Sequence, residues 1–113
     1  MKVDIKELMA KLLGCSYKLV TSGNWTYREY PNGLVEAWYY GSNIPYSGTN
    51  TGILLPHTAQ KIIALNGDGI INGAAFTPLA NLWVSDSRYV CISFNASGTI
   101  LDRLGLYVVY MKA

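Results

Sequence analysis

From residue 17 onward the chain is a succession of short aromatic and β-branched runs cut by Gly, Asn and Ser, and this punctuation limits the fold more than any other feature. The runs are Tyr17–Thr21, Trp25–Tyr30, Leu34–Tyr40, Thr51–Leu55, Lys61–Leu65, Leu79–Ser85, Tyr89–Asn95 and Leu106–Lys112. Residues of these types at intervals of about 8–12 positions, separated by turn formers, predict an antiparallel β-sandwich or barrel. No later stretch is long enough and periodic enough to supply helices between them.

One hairpin can be read in detail. Pro31, Asn32 and Gly33 stand between Tyr30 and Leu34. Pro suits the first central position of a type I turn, Asn the second, and Gly the left-handed residue of the bulge that follows. A three-residue loop sets Arg28 opposite Glu36. A two-residue loop would instead oppose Glu29 to Glu36, a like-charge pair. The three-residue register groups Trp25, Tyr27, Val35, Ala37 and Tyr39 on one face. Arg28, Tyr30, Trp38 and Tyr40 fall on the other. Both faces are aromatic, so neither reads as freely solvated.

The first fourteen residues follow a different period. Asp4 and Glu7 have the spacing of a capping box, Val3 and Leu8 that of a hydrophobic staple. Ile5, Leu8, Met9, Leu12 and Leu13 share one helical face, and Gly14 is a natural stop. The expected organisation is a short N-terminal helix over 1–14, at a stalk end or docked on a neighbour, ahead of an all-β domain over 15–113.

Charge is scarce: 14% of the 113 residues, against about 25% in an ordinary soluble domain. The net charge of +2 comes from the first eighteen residues, and the rest is balanced, with five acidic and five basic side chains. That balance argues against a nucleic-acid surface, and no apolar run approaches the roughly 20 residues of a membrane helix. A charge-poor surface suits an oligomer in which part of it is covered. The expected state is a homotrimer, with a dimer as second choice. Cys15 and Cys91 form no disulfide framework.

Residues 21–41, TSGNWTYREYPNGLVEAWYYG, resemble a pattern in the C-terminal domains of tail-fibre, baseplate and other minor structural proteins of phages and prophages of Gram-positive bacteria. Thr21, Ser22, Gly23, Trp25, Tyr27, Arg28, Gly33, Glu36 and Trp38 carry it. Tyr30 stands where Trp is common there, and Ala37 where Cys is. The resemblance implies a virion protein on a trimeric β domain, assembled in the bacterial cytoplasm and joined to other virion proteins through the N-terminal helix. An opposed charged pair among aromatics predicts a structural role for Arg28 and Glu36.

Catalysis finds no support in the residues. The one histidine, His57, has no serine elbow to serve. Glu29 and Glu36 fall on opposite faces, which opposes their acting as a glycosidase pair. One His and two distant Cys make no metal set, Asn66–Gly69 lacks calcium-loop spacing, and no dinucleotide motif is present. We expect no enzyme activity, metal or cofactor. Binding is expected in loops, chiefly 41–51, where Tyr46 would be a rigid aromatic anchor beside Asn43 and Asn50. Residues 66–73 and 86–89 are further loop candidates, and a groove at Trp38 and Tyr40 is the alternative on a strand face. The function expected is a tail-fibre or baseplate tip contacting a host-surface glycan. The rivals are a purely structural virion component, such as a head fibre or joining domain, and a cellular lectin-like module.

Overall fold

A computed structural model describes residues 17–47, 50–71, 77, 79–95 and 98–113. Among them the chain forms eight strands: β1 (Lys18–Ser22), β2 (Trp25–Glu29), β3 (Leu34–Pro45), β4 (Thr51–Leu54), β5 (Ala59–Ile71), β6 (Leu79–Ser85), β7 (Tyr89–Phe94) and β8 (Ile100–Lys112). They make two antiparallel sheets, a five-stranded one ordered β1-β2-β3-β8-β5 and a three-stranded one ordered β4-β7-β6.

The hairpin that sets the first sheet has the predicted loop. Gly33 lies at φ 91°, in the left-handed region that a side chain resists. Its N–H donates to the Tyr30 carbonyl at 3.0 Å, and the Tyr30 N–H donates to Leu34 at 2.9 Å. The Asn32 side chain accepts from the Leu34 N–H at 3.1 Å. Arg28 consequently faces Glu36 across β2 and β3.

That register sorts the side chains. Trp25, Tyr27, Val35, Ala37 and Tyr39 turn inward and are buried, joined by Leu106, Val108 and Tyr110 of β8 and by Val90 and Ile92 of β7. Val35, Val90 and Val108 lose all exposure, which is worth about 1.5–3 kcal/mol for each such side chain. The sheets are also tied by polar contacts. The Trp25 indole N–H donates to the Leu54 carbonyl at 2.9 Å. The Ala59 N–H, on β5, donates to the Ser87 carbonyl in the β6–β7 turn at 2.7 Å.

Three expectations are corrected. The fold class is not a helix-plus-β arrangement: the described residues are all β, in two antiparallel sheets, with no helix. The helix expected over 1–14 lies outside the described residues, and this single chain carries no trimer. Secondly, residues 41–45 of the expected 41–51 loop are strand, since β3 continues to Pro45. Thirdly, residues 66–71, expected to open a loop, continue β5 to Ile71. Both extensions pair with β8, which begins at Ile100 and lies between them. Ladder pairing with a shared central strand outweighs the turn preference of Gly and Asn.

Candidate functional site

The outward face of the five-stranded sheet is built around the charged pair. Arg28 Nη1 lies 3.1 Å from Glu36 Oε1, and the Tyr107 hydroxyl donates to Glu36 Oε2 at 2.7 Å. That hydrogen bond, with some burial, pushes the Tyr107 hydroxyl above its ordinary pKa, so it remains a donor at neutral pH. The Arg28 guanidinium lies 5.1 Å from the Tyr17 ring centroid and 5.3 Å from that of Trp38. Trp38 and Tyr107 are themselves tilted ring neighbours at 5.6 Å. One carboxylate therefore locates a cation and a phenol, and these locate an indole.

A trough runs beside this network. Two alternate rungs of the ladder present their side chains here: Trp38, Tyr107 and Asn66 on one, Tyr40, Gly105 and Asp68 on the other. Gly105 leaves the trough open, since a Cβ there would meet Asp68 Oδ1 at 2.9 Å. The cavity measures about 440 Å³. Tyr40 is exposed, at 61% of its full area. The side chains of Asn66 and Asp68 are exposed and make no hydrogen bond or ion pair to another described residue.

The loop residues expected to bind are placed differently. Tyr46 is a core residue with 4% exposure. Its hydroxyl accepts from the Phe94 N–H at 3.0 Å, and its ring lies 6.0 Å from that of Phe94. A ring held in this way cannot be displayed to a ligand, so its assignment as anchor is corrected. Asn43 is exposed at φ 53° within β3, where facing resets: Tyr39 points inward before it, and Ile44 packs on the core after it. Asn50 is exposed and closes a backbone turn with Ser47. Asn66 and Asp68 fall within the 66–73 candidate but stand on β5 rather than in a loop, and Gly105 and Tyr107 were missed. Alternation within β8 pairs Gly105 with Tyr107 on one face, but only the β3–β8–β5 register sets them beside Trp38 and Tyr40.

The outward face of the three-stranded sheet has another character. Leu54 and Tyr89 face each other across β4 and β7, and Trp83 opposes Cys91 across β6 and β7. Leu54, Trp83 and Tyr89 are all exposed. Burial pushes the Cys91 thiol up in pKa, which disfavours the reactive thiolate form.

Between the sheets, His57 Nδ1 lies 2.8 Å from the Tyr110 hydroxyl, and Nε2 lies 3.8 Å from Glu29 Oε1. Glu29 is paired with Lys112. Burial holds the His57 pKa down, Glu29 opposes that, and Lys112 and Arg88 reinforce it. Among the described residues, no three His, Cys, Asp or Glu side chains are grouped to hold a metal ion.

The sequence matches no protein-family model and no curated protein. The fold is similar to that of an N-truncated R2-type pyocin tail fibre, solved in selenomethionine form, with a TM-score of 0.54 and 10% sequence identity. The likeness covers 96% of this chain and 51% of the pyocin chain, so this chain spans about half the length of that neighbour. At this identity the likeness is one of fold.

Proposed function

We propose that the chain is a non-catalytic domain of a phage tail fibre or related tail structure, a virion component that contacts the host surface. The observation that carries this reading is the tail-fibre fold over 96% of the chain. The pattern of residues 21–41 supports it independently and is the sole ground for a host among Gram-positive bacteria. Copies of the chain associate through the outward face of the three-stranded sheet, where Leu54, Trp83 and Tyr89 expose apolar area. Such area is the kind that association removes from water.

Antibody labelling of phage particles tests the virion reading. Label on tail tips is the expected result, and particles without label would contradict it. Binding of the purified chain to host envelopes, competed by free wall glycan, tests the surface contact. Labelled tails with no envelope binding would instead favour a purely structural virion component.

A further inference from the structure

The trough on the five-stranded sheet combines two chemistries in one place. Trp38, Tyr40 and Tyr107 line it with aromatic rings, and Asn66 and Asp68 edge it with polar groups not engaged by other described residues. Its volume of about 440 Å³ lies within the ~300–1,000 Å³ usual for small-molecule sites. A sugar ring has matching chemistry, a C–H face that packs on aromatic rings and a rim of hydroxyls. A carboxylate can accept from two adjacent hydroxyls, and an amide can both donate and accept.

Charge narrows the choice. Arg28 and Glu36 neutralise one another at the margin, Asp68 is the charged side chain lining the trough, and Arg103, on the next alternate rung, lines the recess that continues past Tyr40 and Gly105 beside the same Asp68. An anionic ligand would meet that carboxylate at close range. A quaternary ammonium would suit a carboxylate among rings, but Trp38 already has the Arg28 guanidinium 5.3 Å from its centroid. A second cation on the same ring system would be opposed by the first.

We infer that the trough is a binding site for an uncharged saccharide, stacked on Trp38, Tyr40 and Tyr107 and held by adjacent hydroxyls on Asp68 and Asn66. This deepens the proposed host contact and rests on that reading for the source of the sugar. Gly105 is the gatekeeper, because a side chain there would enter the space between Tyr40 and Asp68. Glu36 is a positioning residue, acting on the sugar through Tyr107.

The test is a titration of the isotope-labelled full chain, followed by NMR, with the methyl glycosides of glucose, mannose and N-acetylglucosamine. Methyl galacturonide and choline are the charged comparisons. At least one neutral glycoside should shift the Asn66, Asp68 and Gly105 amides and the Trp38 indole. Tyr40→Ala and Asp68→Ala should each weaken that response about tenfold, or ~1.4 kcal/mol, while keeping a folded spectrum. Trp83→Ala should respond as the parent does.

The inference is overturned if no neutral glycoside shifts these signals, if choline or the galacturonide alone does, or if both trough variants respond like the parent. Labelled virions with a silent trough would overturn it and leave the fibre reading standing. A responsive trough on a chain absent from virions would do the opposite.

Discussion

The two outward faces are both rich in exposed aromatic residues, yet they are built differently. On the five-stranded sheet the rings are held in a network: Glu36 accepts from Tyr107 and pairs with Arg28, which stacks on Tyr17 and Trp38. Beside them lies a recess edged by Asn66 and Asp68. On the three-stranded sheet, Leu54, Trp83 and Tyr89 present apolar surface with no comparable polar frame. Aromatic exposure alone therefore does not say what a face does. Framed rings beside a recess suit a small polar ligand, whereas unframed ones suit an extended apolar partner.

The largest effect should come from placing charge on the unframed face. Trp83→Glu should abolish self-association and bring the solution mass to about 12.4 kDa, read by light scattering. Tyr40→Glu, on the framed face, should leave the mass of the assembly unchanged. Equal effects of the two would erase the distinction between the faces.

Gly33 sets the register that sorts residues between inside and outside. Gly33→Val should cost about 1 kcal/mol or more, because a β-branched residue resists the left-handed region. A Cβ at Gly33 finds Met111 at 3.6 Å, an ordinary contact, so the penalty lies in the backbone rather than in crowding. Gly33→Asn should cost less, since Asn tolerates that region. Thermal denaturation of the two variants measures the difference, and equal shifts would contradict the left-handed turn.

Glu36→Gln should lower the melting temperature by a smaller amount. It keeps an acceptor for Tyr107 but leaves Arg28 without its counter-charge. The loss should shrink at high salt, because the pair is partly exposed and screened. A salt-independent loss would mean that packing, rather than charge, is what Glu36 supplies.

The smallest effect concerns pH. His57 has a pKa below its ordinary value, chiefly through burial, so the unfolded chain binds its proton more readily than the folded one. Stability from this source is complete above about pH 6.5 and is lost as pH falls through the folded value. Glu29, held low chiefly by its hydrogen bond to Lys112, adds a further loss below the ordinary carboxylate range. The melting temperature should fall between pH 7 and pH 5, and His57→Gln should flatten that fall. An unchanged slope in the variant would remove His57 from the account.

Much of the sheet was legible because its signals are local. Pro31-Asn32-Gly33 dictates a turn, the turn dictates the pairing of Arg28 with Glu36, and alternation then places Trp25, Tyr27, Val35, Ala37 and Tyr39 inside. The Trp38 and Tyr40 side of the trough was legible from the hairpin, but its other wall was not, because it needs three strands distant in sequence to be aligned. Nothing near Tyr107 or Asp68 in the chain announces that Trp38 and Tyr40 will be their neighbours. Tyr46 shows the opposite failure. Gly, Ser, Asn and Thr around it read as a loop, but one hydrogen bond to the Phe94 N–H and a place in the core decide its role.

The three tryptophans permit one direct test of the division between faces. Trp25 is buried with its indole N–H on the Leu54 carbonyl, Trp38 lines the trough, and Trp83 lies on the unframed face. The measurement is paramagnetic broadening of the three indole signals by a soluble relaxation agent, on the full chain at assembling concentration. The account predicts that Trp38 is broadened while Trp25 and Trp83 are protected, and that dilution exposes Trp83. A protected Trp38 with a broadened Trp83 would show that the faces have been assigned the wrong way round.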